Sequence, residues 1–309
     1  MTDESFYQSD FITTKNLTLE KIELILSTAK KLKQNPSSSL LANKIIANCF
    51  FEPSTRTRLS FEAAANRLGA RTIGFASDES TSTKKGETLQ DTIQVIQQYA
   101  DLIVIRHPHE GAAALAAEIA ECPVINAGDG ANQHPTQAML DLFTIQECQK
   151  KLNGLSIAFV GDLKYSRTIH SLAQVCALFD VRLYLVAPES LSLPDHICDD
   201  LKKSGIRFSF HQQLEEVIPH IDILYMTRIQ LERFSNKAEY DSVKSQIILS
   251  ADHLHQAKTN LRILHPLPRV NEIATDVDHT PYAYYFQQAG NGVFIRQALL
   301  TLILNGPVS

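Results

Sequence analysis

The sequence predicts an α/β protein of two similar-sized domains, each a parallel β-sheet flanked by helices, with the active site in the cleft between them. Three observations predict it. Short apolar runs alternate with amphipathic helical stretches, the pattern of βαβ units and parallel sheets. The alternation breaks at Asn153-Gly154 and then starts again, so two such units follow one another. Arginines, histidines and hydroxyls collect just after the strands, at the carboxyl edge where open α/β sheets bind ligands. The domains are drawn at residues 1–150 and 151–290, with a C-terminal helix at 291–306 packing back on the first.

Each element follows from its local pattern. "LTLEKIELILSTAKKLKQN" puts Ile22, Ile25, Leu26, Ala29 and Leu32 on one helical face. "KIIANCFF" is a buried strand, and a helix follows from about Ser54 to Leu68. "RTIGF" is a short strand, and "GETLQDTIQVIQQYA" is an amphipathic helix through Leu89, Ile93, Ile96 and Ala100. "DLIVIR" and "CPVINAGDG" are strands, the second closing in a glycine turn, and "HPTQAMLDLFTIQECQKKL" is a long helix. After the break come "LSIAFVGD", a helix from about Ser166, "RLYLVAP", a helix, "RFSF", a helix and "DILYMTR". "ADHLHQAK" is helical, "LRILHPLPR" carries a last short strand, and two helices close the chain, the second being "GVFIRQALLTLILN".

The totals exclude several classes of function. The chain has 309 residues, 44% of them hydrophobic, and a net charge of -5 from 29 basic and 34 acidic residues. That balance argues against a general nucleic-acid binder. No apolar run is long enough to span a membrane. The polar start "MTDESFYQSD" is not a signal peptide, so a cytoplasmic protein is expected. The five cysteines, Cys49, Cys122, Cys148, Cys176 and Cys198, form no C-x-x-C pair and read as reduced core residues rather than as a zinc site.

One stretch is odd. In "FFEPSTRTRLSFE" the residues Ser54, Thr55, Arg56, Thr57 and Arg58 crowd the first turn of a helix. Cations are disfavoured there, because the macrodipole already places partial positive charge at that end. Free backbone amides, hydroxyls and a guanidinium fork together suit a bound anion such as phosphate. There is no G-x-x-x-x-G-K-[ST] loop, and "FVGDLKYSR" lacks G-x-G-x-x-G, so neither a nucleoside triphosphate nor a dinucleotide is expected.

These residues carry a resemblance. "FFEPSTRTRLSFE", "KKGETLQDT", "IRHPHEGAA", "NAGDGANQHPTQAMLDLFTI", "VGDLKYSRTIHSL", "DILYMTRIQLERF" and "LHPLPRVNEIATDVD" stand in order along essentially the whole chain. Together they resemble the catalytic chain of aspartate carbamoyltransferase, in particular the bacterial type that assembles with separate regulatory chains. The resemblance implies transfer of the carbamoyl group of carbamoyl phosphate to L-aspartate, without a metal or organic cofactor. It implies that Ser54, Thr55, Arg56 and Thr57 bind the phosphate, while Arg58 is structural. Arg106 would contact the phosphate and carbamoyl oxygens, His134 the carbamoyl carbonyl, and Gln137 the carbamoyl amino group. His134 and Gln137 stand one helical turn apart, on the same side. The backbone carbonyls of Leu267 and Pro268 would accept from the carbamoyl amino group and the incoming amine, across a cis bond.

The second substrate needs cations for its two carboxylates. Arg167 and Arg228 supply them, with Gln230 beside Arg228 and Lys85 on a Gly- and Thr-rich loop. The hydroxyl that usually precedes this lysine falls at Thr81, flanked by Ser80 and Ser82. The resemblance also implies a homotrimer whose Lys85 loops enter neighbouring sites, and regulatory chains that would hold any structural zinc. Ornithine carbamoyltransferase shares the carbamoyl phosphate half, but its Asp-x-x-x-Ser-Met-Gly and Cys-Leu-Pro signatures are replaced here by "MTRIQ" and "HPLPR". A non-catalytic scaffold would have lost phosphate-binding residues that this chain keeps.

Overall fold

The computed structural model describes residues 6–78, 82–229 and 247–307. The chain divides into two units, Met1–Leu140 with Gly290–Ser309, and Asp141–Ala289. The division falls within two helices, where the Asn153-Gly154 break had suggested a boundary near residue 150. Asp141 explains part of the difference. It is fully buried and accepts hydrogen bonds from Tyr225 Oη and Gln288 Nε2, both at 2.7 Å, so it belongs with the second unit's core.

In the first unit, β1 (Ile45–Phe50), β2 (Arg71–Phe75), β3 (Leu102–His107) and β4 (Val124–Asp129) form a parallel sheet in the order β2-β1-β3-β4. Its helices are α1 (Leu19–Gln34), α2 (Thr55–Arg67), α3 (Leu89–Ile96) and α4 (Ala112–Ile119), and α5 (Pro135–Gln149) begins in this unit and ends in the second. One face of this sheet buries Ala47, Cys49, Ile103 and Ile105 against Ile93 of α3 and Ala113 and Ala116 of α4.

In the second unit, β5 (Leu155–Val160), β6 (Val181–Val186), β7 (Arg207–His211), β8 (Ile223–Met226) and β9 (Arg262–Leu264) are parallel in the order β7-β6-β5-β8-β9. Its α6 (Arg167–Cys176) and α7 (Asp195–Lys203) follow β5 and β6. Each sheet's inner strands are buried on both faces, as crossover helices require. Of the edge strands, β2 and β7 have no buried residue, whereas β4 and β9 are mostly buried.

Two expectations are corrected. The helix expected between β7 and β8 is only a 3-10 turn, Ile218–His220; Pro219 lacks the amide a longer helix would need. The closing helix is a single 21-residue element, α8 (Tyr285–Asn305), and starts seven residues before "GVFIRQALLTLILN". Gly292 marks a close approach rather than an end, whereas Gly290 has open space beside it. A Cβ on Gly292 would lie 2.4 Å from Arg296 Nη1 and 3.2 Å from Leu140 Cδ2. Further along, the Arg296 guanidinium sits 4.9 Å from the centre of the Phe61 ring of α2, and Lys33 Nζ of α1 donates to Asn291 Oδ1 at 2.9 Å.

Both sheets are clamped at their amino edges by the same device. Asp101 Oδ2 accepts the Ile45 N–H and Asp222 Oδ2 the Ser156 N–H, both at 2.9 Å. Lys44 Nζ reaches Asp101 Oδ1 at 2.9 Å, and Lys258 Nζ reaches Asp222 Oδ1 at 3.0 Å. Burial by itself would raise both carboxyls. The Lys44 ammonium and Ile45 amide outweigh it at Asp101, and the Ser156 amide, Asn260 and Lys258 outweigh it at Asp222, so both stay below the usual carboxylate range.

Candidate active site

The carboxyl edge of the first sheet is built around β1. Phe50 pairs with Arg106, and the Phe51 N–H donates to the Arg106 carbonyl at 2.8 Å, so Arg106 stands level with the start of α2. Ser54 caps α2 in an extended conformation without spending its hydroxyl on a capping bond, and the first turn holds no acidic residue. An uncapped helix start without acids is able to receive an anion on its amides and dipole. Thr57 is 7% exposed, while Thr55 and Arg56 lie at the surface. Arg58 pairs with Glu62 one turn on, at 3.3 Å, consistent with a structural role. Arg106 is held in place by Glu52 Oε2, 2.8 Å from Nη2, and by the Ala127 carbonyl, which accepts from Nη1 at 3.3 Å.

His134 and Gln137 follow β4. They are 4% and 7% exposed, and the Gln137 N–H donates to the His134 carbonyl at 3.0 Å. The turn that presents them is organised by Asp129, which no motif of the sequence singles out. Its Oδ1 accepts from Asn126 Nδ2 at 2.9 Å and the Gln133 N–H at 3.2 Å. Its Oδ2 accepts from the Gly111 N–H at 2.9 Å and Asn132 Nδ2 at 3.0 Å. The signal was present in "NAGDGANQ": a buried acid amid amides and glycines collects backbone donors.

Lys85 ends the 3-10 helix Ser82–Lys85, where it is exposed and its ammonium makes no hydrogen bond or ion pair with other described residues. Ser80 and Thr81, and the side chain of Ser82, lie outside the described residues, as does Gln230.

The second unit repeats the plan around β5. Gly161, with φ 110°, ends the strand against β8, and a Cβ there would lie 2.3 Å from the Thr227 carbonyl oxygen. Only glycine lets the two strand ends close up. Arg167 opens α6 and is half-buried; Ser166, the cap, hydrogen-bonds Thr168 Oγ1 at 3.0 Å instead of capping. Arg228, also half-buried, follows β8.

Beyond β9 the chain turns at Leu267 and Pro268 through a cis bond. Leu267 has φ 55°, a left-handed conformation that costs a residue with a Cβ about 1–2 kcal/mol. His265 and Glu272, both buried, bracket this turn, and Arg269 forms a two-pronged pair with Asp278, which also accepts from Tyr285 Oη. The Arg269 guanidinium holds the Asp278 carboxyl below its ordinary range.

Models of the two domains of one enzyme family match the chain in this order. The aspartate/ornithine carbamoyltransferase carbamoyl-P binding domain matches residues 9–147, and the Asp/Orn binding domain matches residues 153–303. The chain belongs to the aspartate/ornithine carbamoyltransferase family. It is 58% identical over 304 residues to the aspartate carbamoyltransferase catalytic subunit of Vibrio campbellii, covering 97% of this chain and 98% of that one. It is 56% identical over 302 residues to the same subunit of Chromobacterium violaceum, covering 98% and 100%. Among solved structures it resembles the catalytic subunit of M. jannaschii aspartate transcarbamoylase, at TM-score 0.88 and 47% identity over 96% of this chain and 97% of that one. It also resembles the Trypanosoma cruzi aspartate transcarbamoylase in complex with carbamoyl phosphate and aspartate, at TM-score 0.90 and 35% identity over 97% of each chain.

In this carbamoyltransferase the described residues contain no group of three or more His, Cys, Asp or Glu that could hold a metal. No helix among them is long and apolar enough to cross a membrane. All five cysteines are free, but Cys122 and Cys148 are only half-buried rather than core residues. Burial pushes the Cys49 and Cys176 thiols up to about 12, which suppresses the reactive thiolate.

Proposed function

We infer that this chain is an aspartate carbamoyltransferase, moving the carbamoyl group of carbamoyl phosphate to the amine of L-aspartate to give N-carbamoyl-L-aspartate and phosphate. The product feeds pyrimidine biosynthesis. The observation that carries the site assignment is the register of β1 with β3. It sets Arg106 beside a helix start rich in hydroxyls and cations and free of acids. Residues 1–150 are the carbamoyl phosphate domain, and residues 151–290 the aspartate domain. Ser54, Thr55, Arg56, Thr57 and Arg106 hold the phosphate. Arg167, Arg228, Gln230 and Lys85 hold the two aspartate carboxylates.

The uncharged amine of aspartate attacks the carbamoyl carbon, the C–O bond to phosphate breaks, and the amine proton leaves with the phosphate. Charge that grows on the carbonyl oxygen meets Thr57, Arg106 and His134, groups already fixed by burial and strand register, so little reorganisation is needed as it develops. Gln137 and the carbonyls of Leu267 and Pro268 orient the two nitrogens, and holding both substrates in line supplies much of the rate. The direct test supplies carbamoyl phosphate with either aspartate or ornithine. Carbamoyl-aspartate should form and citrulline should not; the reverse would overturn the assignment.

The chain assembles as a homotrimer with shared sites, and zinc-containing regulatory chains join trimers into a larger enzyme. Support for sharing comes from Lys85, whose exposed ammonium at the end of the 3-10 helix Ser82–Lys85 is unengaged by the described residues. Heterologous contacts close into a ring under threefold symmetry. Mixing dissociated Lys85→Ala and His134→Ala chains should restore activity to about one quarter of the sites, by chance pairing at each interface. No recovery despite subunit exchange would exclude sharing.

A further inference from the structure

The turn after β9 contains a buried pair for which the reaction above has no use. His265 is 2% exposed and Glu272 5% exposed. Glu272 Oε1 lies 2.7 Å from His265 Nε2, and His265 Nδ1 accepts the Leu267 N–H at 2.7 Å. Together these contacts set the tautomer: Nδ1 is the acceptor, so the ring proton sits on Nε2 and is donated to the carboxylate. Glu272 Oε2 accepts the Val270 and Asn271 N–H groups, both at 3.1 Å. The ring is anchored through its own backbone as well, since the His265 N–H donates to Gln288 Oε1 at 2.7 Å and Gln288 is in turn held by Asp141.

Three amides of the turn, those of Leu267, Val270 and Asn271, are thus drawn onto one imidazole–carboxylate pair. The carbonyls behave differently. Among the described residues, no hydrogen bond reaches the carbonyl oxygen of Leu267 or Pro268. Leu267 itself keeps a left-handed φ of 55°. Such a conformation persists only where the surroundings over-determine it, and residues of this kind cluster at ligand clamps.

We propose that His265 is a positioning residue: by accepting the Leu267 amide at Nδ1, with Glu272 anchoring its Nε2, it holds the turn so that the Leu267 and Pro268 carbonyls stay open to the amino groups of the reaction. The proposal deepens the reading above and rests on it, because it takes those two carbonyls as substrate contacts. His265 touches no reacting atom and acts only through the turn.

Two substitutions separate the ring's contacts. In His265→Asn the side-chain oxygen falls near the place of Nδ1, keeping an acceptor for Leu267 while losing Glu272. In His265→Gln the longer amide reaches toward Glu272 and leaves the Leu267 amide without its acceptor. The Asn variant should keep kcat within about threefold of wild type. The Gln variant should lose about tenfold or more in kcat, with a smaller change in KM for carbamoyl phosphate. Thermal stability should run the other way, with Gln above Asn, because the buried Glu272 keeps its donor. Crossed orders of activity and stability are what a purely structural role cannot produce; parallel orders overturn the proposal.

Pro268→Ala, which frees the backbone that the pyrrolidine ring fixes, is measured beside them. If it lowers kcat about tenfold while His265→Gln does not, the carbonyl reading stands and the role of His265 falls. If Pro268→Ala leaves kcat unchanged, the turn is not at the reacting atoms, and the carbonyl reading falls with the proposal. Should the Gln variant fail to fold, a tenfold kcat loss in the Asn variant still overturns it.

Discussion

The two units solve one topological problem with different chemistry. In each sheet the first strand lies inside: β1 sits between β2 and β3, and β5 between β6 and β8. Successive crossovers leave that strand in opposite directions and open a crevice at its carboxyl end. Arg106 and the start of α2 occupy the crevice of the first sheet; Arg228 and the start of α6 occupy that of the second. Both helices have a serine cap that spends no hydroxyl on capping and a first turn without acids. The next strand outward adds His134 and Gln137 after β4, and Leu267 and Pro268 after β9. What differs is how the outer turn is held. One is shaped by Asp129, which gathers amides and side-chain donors directly. The other is shaped by a carboxylate acting partly through an imidazole. A strand order alone therefore creates the place for a site, and the buried polar residues beneath it decide which atoms face the ligand.

The comparison can be broken first at the arginines. Arg56→Ala should remove a charge-assisted contact of about 1.5–3 kcal/mol, and more if it strengthens in the transition state, lowering kcat/KM by one to two orders of magnitude or beyond. Near-normal activity at low carbamoyl phosphate would show that the start of α2 is not the phosphate site. Arg228→Ala should leave carbamoyl phosphate binding nearly intact and raise the KM for aspartate, again by roughly tenfold or more. Equal loss for both substrates in separate titrations would end the division of labour between the units.

The amino-edge clamps give the smaller test. The side chain of Asp222 is 13% exposed and that of Asp101 34%, so the same substitution should cost them differently. Asp222→Asn should lose about 1.5–3 kcal/mol. At Asp101 solvent screening should hold the loss to about 0.2–1 kcal/mol. Urea midpoints of the two variants measure the gap. Both carboxyls are depressed in the folded chain, so their stabilisation is present above the unfolded value of about 3.9 and is lost as pH falls through the folded one. The deficit of Asp222→Asn at neutral pH should shrink below about pH 4. A deficit that stays constant with pH would mean that shape, not charge, makes the clamp.

The sequence by itself determined whatever depends on neighbours along the chain. The alternation of strands and helices, the Asn153-Gly154 restart, the dense "STRTR" helix start and the one-turn spacing of His134 and Gln137 all come from periods of two and 3.6 residues and from local backbone preferences. Tertiary structure alone decided what depends on distant partners. Whether β1 lies inside or at an edge is a matter of pairing with β3, between residues as far apart in sequence as Ile46 and Leu102, which no local period encodes. The local pattern splits the end of the chain into two helices, the second opening at Gly292, yet α8 runs through that glycine, whose missing Cβ leaves room for Leu140, since tertiary context overrides a weak helix propensity. Asp129, His265 and Glu272 carry no periodicity that marks them. Their roles come from burial, which removes water as a partner and obliges each polar group to bond with whatever backbone the fold has brought beside it.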